Sequence, residues 1–342
     1  MIDPSVPPRP AARFPAKFVR ESGAVFAALA LVLLVAPAAC RRKEAPERTG
    51  AAARSTTPKR PAEPTEPSIL SAPAPGRPPF AGMSEPRDAA VDAQGRLWVA
   101  DFGNSRIRLF DRNGGYLGGW GNPGNETFTL RQPAGVAARG EDLYVADTWN
   151  GRIQYYTLQG EWKATAAGFF GPRGVAAAPD GKVWATDTGN HKVVVFNRSL
   201  GELRAIGKLG PGPGEFSSPV GIAVGPGGQV YVADIGNRRI AVLDREGRFQ
   251  RSLPVTAWEG AAEPFLEVGE AGQIYLTDPN GNAVLELASG GSVRNRWSSD
   301  DSGKPFARPT GIALDGRQGI LYVVNSATNV VSKIVLAGGK KP

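Results

Sequence analysis

Short apolar runs recur at regular intervals over residues 86–336, and clusters of Gly, Asn and Asp separate them. The clearest run has an aromatic residue, two small or branched residues and then an acid or amide, as in residues 231–234 (Tyr-Val-Ala-Asp). Its last residue recurs every 40 to 47 positions, at Asp101, Asp147, Asp187, Asp234, Asp278 and Asn325. A period of this size in β-rich runs predicts a repeat architecture.

Each repeat predicts four short strands. In the fourth copy, Pro219 opens a strand over residues 221–224, and strands over 231–234 and 239–243 follow, with a weaker fourth strand after the turn at 244–247. Turn residues that tolerate a positive φ join these strands, as an antiparallel meander requires. One such sheet has too small a core to be stable alone, whereas six arranged radially bury both faces of each. The predicted fold is therefore all-β, a six-bladed β-propeller of four-stranded antiparallel blades.

Closure of the ring calls for a strand from outside the last repeat. The sixth copy supplies apolar runs at residues 310–314, 320–324 and 330–336, and the sequence then stops at Pro342. Residues 68–71 (Ser-Ile-Leu-Ser) are the one apolar run between the N-terminal leader and the first repeat. We expect these residues to complete the last blade and so remove an open sheet edge. The predicted propeller domain, with this closing strand, spans residues 68–342.

Residues 1–40 have the pattern of an export signal. A basic segment precedes an uncharged apolar run over residues 24–39, and Cys40 follows directly. The run of 16 residues is shorter than the roughly 20 apolar residues of a membrane-spanning helix. A basic region, a short apolar region and small residues are typical of a signal peptide.

Cys40 is the sole cysteine of the chain, so it cannot form an internal disulfide. The sequence Ala-Ala-Cys at residues 38–40 resembles the end of a bacterial lipobox, although Pro37 replaces the usual leucine. The resemblance implies acylation of Cys40 and a destination at the outer membrane. Cleavage after residues 36–38, which would release a soluble protein, and an uncleaved anchor are the alternatives.

Composition separates a tether from the ring. Residues 41–67 are rich in Pro, Ala, Glu and Arg, which predicts a disordered spacer that holds the propeller away from a membrane. Of the formal net charge of +8, +6 falls in residues 1–79 and +2 in residues 80–342. A nearly neutral ring argues against a nucleic-acid partner, because phosphate contacts need a basic surface.

The repeat resembles the NHL family. Residues 219–224 (Pro-Val-Gly-Ile-Ala-Val), 231–234 and 236–240 (Gly-Asn-Arg-Arg-Ile) carry the likeness, which covers roughly residues 80–336 and is strongest in copies 1 to 4. The resemblance implies a six-bladed propeller, and related propellers include metal-dependent lactonases and a zinc lyase. The lyase class needs several histidines, whereas this chain has His191 alone, at a common turn position. A lactonase-like calcium site would need converging oxygens, for which Asp278, Asn280 and Asn325 are isolated candidates.

Candidate binding residues lie in the turns between the second and third strands. Four copies place a cation five residues after the acid, at Arg106, Arg152, Lys192 and Arg239. In one interpretation the carboxylate accepts N–H groups of its own turn and compensates the cation. In the other, the cations form a ring of charge around one mouth of the channel.

Trp149 takes a turn position that is glycine in copies 1, 3 and 4. An aromatic side chain beside arginine is typical of a binding anchor. The alternative is that Trp149 fills space against the long loop over residues 120–132.

These observations favour a monomeric binding scaffold at the cell envelope, exported and anchored through a lipid on Cys40. A protein or peptide is the expected partner, envelope glycan is second, and no nucleic acid, metal or cofactor is expected. The alternative is a metal-dependent hydrolase or lactonase with calcium or another cation in the central channel.

Overall fold

A computed structural model describes residues 79–256, 258 and 263–337. Within them the chain forms six antiparallel sheets, five of four strands and a sixth of three, each with its strands in chain order. The first strand of each sheet contacts the first strands of the two neighbouring sheets, so these six strands are innermost and the sheets form a ring. The predicted six-bladed propeller is confirmed. The predictions for the signal peptide, Cys40, the tether and the closing strand at 68–71 fall outside the described residues.

The strands of blades 1 to 3 have the following bounds: β1 Ala89–Val91, β2 Leu97–Asp101, β3 Arg106–Phe110, β4 Tyr116–Trp120; β5 Gly135–Arg139, β6 Asp142–Asp147, β7 Arg152–Thr157, β8 Trp162–Ala167; β9 Val175–Ala177, β10 Val183–Asp187, β11 Lys192–Phe196, β12 Glu202–Ile206. Those of blades 4 to 6 are β13 Pro219–Val224, β14 Val230–Asp234, β15 Arg239–Leu243, β16 Phe249–Pro254; β17 Leu266–Val268, β18 Ile274–Asp278, β19 Ala283–Leu287, β20 Val293–Trp297; β21 Pro309–Asp315, β22 Ile320–Asn325, β23 Val330–Val335. Short 3-10 turns lie at Phe102–Asn104, Thr148–Asn150 and Ile235–Asn237.

Alternation along the strands builds the core between blades. In β2, Leu97 and Val99 pack against blade 6, while Trp98 and Ala100 pack against blade 2. Because successive side chains of a strand point to opposite faces, each blade contributes to two clusters. Such clusters fill all six interfaces of the described ring, including the one between blades 6 and 1.

Threonine hydroxyls join neighbouring blades close to the channel. Thr186 donates to the carbonyl oxygen of Val220 at 2.7 Å, and Thr277 donates to that of Thr310 at 2.6 Å. Both side chains are fully buried, so the bonds satisfy carbonyls that face the next blade.

Left-handed residues form a second link between blades. The residue that ends the turn before the third strand has a positive φ in every repeat, at Ser105, Gly151, His191, Arg238, Asn282 and Asn329. Several of these side chains accept the backbone N–H of the residue before the next proline. The Nδ1 of His191 accepts from Ser218 at 3.0 Å, and the Oδ1 of Asn282 accepts from Arg308 at 2.7 Å. The one histidine of the chain therefore has a structural contact, consistent with its turn position.

The outer edge of β23 is partly occupied by a loop residue. The carbonyl oxygen of Lys333 accepts the N–H of Asp301 at 3.2 Å, and the N–H of Val335 donates to Oδ2 of Asp301 at 2.7 Å. Backbone groups alternate in direction along an antiparallel strand, so Val331, Lys333 and Val335 present their backbone away from β22.

None of the helices in the described part of the chain is long and apolar enough to span a bilayer.

Candidate binding surface around the mouth of the ring

The two faces of the ring carry different connections. The turns between the second and third strands hydrogen-bond to the loops that join blades, as where Gly103 donates to Ser84 at 2.8 Å and Gly236 to Ser217 at 2.8 Å. We call this side the turn face. The connections between first and second strands, and between third and fourth strands, lie at the other ends of the same strands, on what we call the hairpin face.

The repeated aspartates hold the turn face together. Asp101, Asp147 and Asp234 are fully buried, and each accepts the backbone N–H of the preceding between-blade loop, at 2.7, 2.7 and 2.6 Å. The asparagine of the same turn donates its amide to the carboxylate, as Asn150 does to Asp147 at 2.8 Å. The first interpretation from the sequence was that these carboxylates accept N–H groups of their own turn. That arrangement occurs at Asp278, which accepts from Gly281 at 3.0 Å.

Arg152 and Arg239 clamp the long loops of the turn face. Arg152 Nε donates to Asp147 at 2.7 Å, and its terminal nitrogens donate to carbonyl oxygens of Asn125, Glu126 and Thr129. Arg239 makes the equivalent set of bonds with Asp234 and with carbonyls of Pro211, Gly212 and Glu215. These donors are used within the fold.

The other two predicted cations are placed differently. Arg106 donates to the carbonyl oxygen of Asn104 at 3.4 Å, and the acid of its turn, Asp101, instead pairs with Arg108 at 2.6 Å. Lys192 is half-buried opposite Asp187 in the β10–β11 pair. The four cations are therefore not equivalent, because Arg152 and Arg239 hold long loops whereas Arg106 and Lys192 do not. Contact of any of the four with a partner stays a prediction.

Trp149 is exposed on the turn face. Its side chain is 55% exposed, and the guanidinium of Arg131 lies 5.9 Å from the ring centroid. The backbone N–H of Trp149 donates to the carbonyl oxygen of Arg131 at 3.1 Å. The turn thus holds the indole beside the long loop, with much of the ring open to solvent.

Two further large apolar side chains are exposed on the same face. Phe170, in the connection from blade 2 to blade 3, is 61% exposed, and Leu209, in the next connection, is 62% exposed. A Cβ on Gly189 would collide with the Phe170 ring at 2.2 Å, so the ring rests directly on that glycine. Other exposed large apolar residues, Leu117, Leu203 and Val293, lie singly on the outermost strands β4, β12 and β20.

Charged side chains converge from alternate blades at the channel mouth on the turn face. Arg87 and Arg173 each follow the opening proline of their blade, blades 1 and 3, and Glu263 precedes the proline of blade 5. Arg87 Nη1 lies 3.4 Å from Oε2 of Glu263, and Arg173 Nε lies 3.0 Å from its Oε1. The guanidinium of Arg87 also stacks on Phe102, 4.5 Å from the ring centroid.

This mouth carries more positive than negative charge. Burial lowers the pKa of Arg87, and the charges of Arg308 and Arg173 lower it further, while Glu263 and Glu85 act in the opposite direction. Burial is the main cause of this direction, and the contributions of Arg308 and Arg173 show that two further cations act on Arg87.

Two carboxylates line the channel below the mouth. Asp88 takes the position after Arg87 that is glycine in four other repeats, and it accepts the N–H of Val136 at 3.1 Å. Burial raises the pKa of Asp88 well above its usual range, and the charge of Glu267 raises it further. Burial also raises the pKa of Glu267, to about 8. Near neutral pH the Glu267 carboxyl group therefore retains its proton.

A cavity of about 660 Å³ opens on the hairpin face, bordered by hairpins of blades 6, 1, 2 and 3. Its acids already have partners. Asp142 receives two bonds from Arg198, at 2.6 and 2.8 Å, and one from the hydroxyl of Tyr155 at 2.8 Å. Arg317 bridges from blade 6 to the carbonyl oxygen of Asp92 in blade 1 at 3.0 Å.

Sequence reasoning missed the mouth. Arg87 and Arg173 occupy a position filled in the other repeats by Ala134, Val220, Phe265 and Thr310, and two arginines at an otherwise uncharged position were the available signal. The partnership with Glu263 gave no signal, because it depends on how blades 1, 3 and 5 meet around the ring.

The profile of the NHL repeat matches residues 83–110, 130–156, 169–196 and 216–243. These segments cover the first three strands of blades 1 to 4. The chain carries NHL repeats. Blades 5 and 6 of this NHL propeller lie beyond the matched segments, in agreement with the weaker likeness of copies 5 and 6.

Two curated relatives share parts of the NHL propeller. Protein brain tumor of Drosophila melanogaster is 28% identical over 130 residues, which is 36% of this chain and 12% of that protein. NHL repeat-containing protein 3 of Homo sapiens is 39% identical over 61 residues, 18% of this chain and 16% of that protein. The matched region thus spans less than a fifth of either relative.

Solved structures share the fold. XC5397 of Xanthomonas campestris, described as a gluconolactonase, superimposes with a TM-score of 0.58 at 16% identity, over 81% of this chain and 99% of that one. At this identity the likeness concerns the fold alone.

Proposed function

We propose that this NHL propeller is a binding scaffold that holds a protein or peptide partner on its turn face. The observation that carries the proposal is the placement of Trp149, Phe170 and Leu209, each more than half exposed, on the turn face. Trp149 lies in the turn between the second and third strands of blade 2, and Phe170 and Leu209 lie in the connections that lead into blades 3 and 4. Exposed apolar side chains grouped on one face mark interaction sites, whereas single ones on outer strands do not. NHL propellers also commonly mediate protein interactions.

The charge of the same face supports this assignment. Arg131 lies over Trp149, and Arg173 lies three residues from Phe170, so cations border the apolar side chains. Interfaces typically combine aromatic anchors with arginine and surround them with a polar rim. The cavity on the hairpin face lacks this combination, since none of the large exposed apolar side chains of the described residues borders it, and two of its arginines, Arg198 and Arg317, are engaged by Asp142 and by a carbonyl of blade 1.

Photo-crosslinking of the full chain in cell-envelope extract tests the proposal. Trp149→Ala should abolish the cross-linked band formed by wild type, because the indole is the largest exposed anchor. Leu203→Ala is the matched control, since Leu203 has the same exposed fraction, 55%, but lies on the outermost strand β12. An identical band from wild type and Trp149→Ala, or loss of the band with Leu203→Ala alone, would contradict this surface.

A metal-dependent hydrolase is the alternative, and the carboxylates of Asp88 and Glu267 in the channel are the residues that favour it. Calcium takes six to eight oxygen ligands in proteins. Among the described residues, no three His, Cys, Asp or Glu side chains group closely enough to hold a metal ion. This donor set does not fit a protein-held divalent cation, so no catalytic step is assigned to the channel. Metal analysis of the purified chain, before and after a chelator, tests this candidate independently of cross-linking.

We further propose that the chain is exported and anchored by a lipid on Cys40, which would hold the scaffold at the envelope. The support is the sequence of residues 1–40, a basic segment and a short apolar run that ends at this cysteine. Cys40→Ser should move the protein from the membrane fraction to the soluble fraction. Equal membrane association of both proteins would contradict the lipid anchor.

A further inference from the structure

We infer that the mouth of the turn face binds a carboxylate of an acidic peptide segment in the partner, through Arg87, Arg173 and Arg308. This inference rests on the proposed function and specifies the chemistry of the partner at that site.

The arginines converge from three blades. Arg87 belongs to blade 1, Arg173 to blade 3, and Arg308 lies directly before the opening proline of blade 6. The side chains of Arg87 and Arg173 are 11% and 22% exposed, so packing restricts both. Arg308 is exposed, and its backbone is fixed by the bond from its N–H to Asn282. Because packing restricts Arg87 and Arg173, these two side chains lose little entropy on binding.

Buried donors in this cluster lack acceptors. The Nε of Arg87 and both the Nε and Nη1 of Arg173 are shielded from solvent and make no hydrogen bond in the described structure. The Nε of Arg173 is within 3.0 Å of Glu263, but the approach does not have hydrogen-bonding geometry. Buried polar groups without partners are costly, so a guanidinium that turns toward a ligand carboxylate at the mouth would gain hydrogen bonds that the fold leaves unmade.

Glu263 indicates which ligand fits. Among the described residues it is the one acidic side chain that bridges two of the arginines, and its carboxylate contacts Arg87 and Arg173 together. Guanidinium groups recognise carboxylates through paired N–H donors. Glu85 also lies 3.6 Å from Arg87, so three arginines face two carboxylates, and the net positive charge that remains matches one carboxylate from a partner.

An acidic peptide suits the surface better than a nucleic acid. The exposed apolar residues of the turn face can hold side chains of a peptide, and the described ring has no large excess of positive charge. Nucleic acids require many phosphate contacts along an extended basic surface. A cluster of three arginines at one mouth is a local site instead.

Fluorescence anisotropy with labelled peptides and the purified full chain tests the inference. The probes are an acetylated hexaglutamate amide, which carries side-chain carboxylates, and an acetylated hexaglutamine with a free C-terminus, which carries one terminal carboxylate. Acetylated hexaglutamine amide is the neutral control, and a uridine hexanucleotide is the phosphate control. We expect hexaglutamate binding that weakens as salt is raised. Binding by the free-terminus probe alone would identify a chain end as the ligand.

Variants locate the site. Arg173→Gln and Arg308→Gln should each weaken hexaglutamate binding about tenfold, the range seen for charge-assisted contacts. Glu263→Gln should strengthen it about threefold, because the internal carboxylate no longer competes. Arg139→Gln, at an exposed arginine on the hairpin face, should leave binding unchanged. Melting temperatures of all variants show which remain folded. Arg308→Gln changes an exposed side chain, so this variant still tests the inference if Arg173→Gln unfolds.

Several outcomes would overturn the inference. These are equal binding of hexaglutamate and neutral hexaglutamine amide, tighter binding of the oligonucleotide, or an unchanged affinity in Arg308→Gln. If the acidic probes fail while Trp149-dependent cross-linking persists, the scaffold function stands and its proposed acidic ligand does not.

Discussion

Arg87 and Arg173 lie two blades apart in the ring and share the carboxylate of Glu263, at 3.4 and 3.0 Å. The three residues start or precede the innermost strands of blades 1, 3 and 5, so the contact spans the channel mouth. This arrangement makes Glu263 both a stabilising counter-ion and an internal competitor for the anion site.

Replacement of Glu263 by Gln should therefore destabilise the ring in a salt-dependent way. At an ionic strength of about 0.01 M, where the Debye length is about 30 Å, the loss should be about 1 kcal/mol and the melting temperature should fall by about 2 to 4 °C. At about 1 M the difference should shrink, because salt screens the repulsion between the arginines. Glu161→Gln, which breaks an exposed pair with Lys163, is the control and should show no such effect. If the loss of stability in Glu263→Gln were the same at low and high salt, the charge of Glu263 would not be the cause of that loss.

Arg152→Ala should cost about 2 to 3 kcal/mol of unfolding free energy, because it leaves the buried carboxylate of Asp147 without its cation and releases three loop carbonyls. Burial already raises the pKa of Asp147, so loss of the guanidinium favours protonation further. Arg106→Ala is the matched change at the same repeat position, and it should stay within about 0.5 kcal/mol. Urea unfolding measures both. Equal losses would contradict the assignment of Arg152 as a loop clamp.

Glu267 should make stability depend on pH. Its pKa rises from 4.5 to about 8 in the folded ring, so the folded state holds the proton more tightly than the unfolded chain. The contribution of Glu267 to the unfolding free energy is fully present below about pH 4.5 and decreases as the pH rises toward 8. Above about pH 8 it no longer changes with pH. Glu267→Gln removes that decline, and at pH 9 it should be about 2 kcal/mol more stable than wild type, less than the full shift implies because water reaches the channel. Thermal melts from pH 5 to 9 test this, with exposed Glu270→Gln as the control. Parallel curves for wild type and Glu267→Gln would refute the raised pKa.

The prediction that residues 68–71 complete blade 6 can be tested at β23. In the full chain the amides of Val331 and Lys333, which face away from β22, should exchange slowly with solvent if a fourth strand covers them. Deletion of residues 68–71 should accelerate exchange at these amides. Val335 serves as an internal reference, because its N–H already donates to Asp301. Fast exchange of Val331 and Lys333 in the intact chain would show that this edge is not paired.

The sequence predicted repeats and strands well because both depend on local pattern. The runs at 231–234 and 239–243 are confirmed as β14 and β15. The ion pairs were harder to predict from the sequence, because which charged side chains meet depends on how the blades are arranged in the ring. Asp101 pairs with Arg108 rather than Arg106, and Arg87 meets a residue 176 positions away. Trp149 stands at a turn position that is glycine in three other repeats and is 55% exposed, and its contact with a partner stays a prediction.

The most direct test of the account is a hydrogen-exchange footprint of the full chain with and without the cross-linked partner. The account predicts slower exchange in residues 148–151 and 168–173 on the turn face, and unchanged exchange in residues 139–142 and 179–181 on the hairpin face. Protection confined to the hairpin-face residues would contradict it.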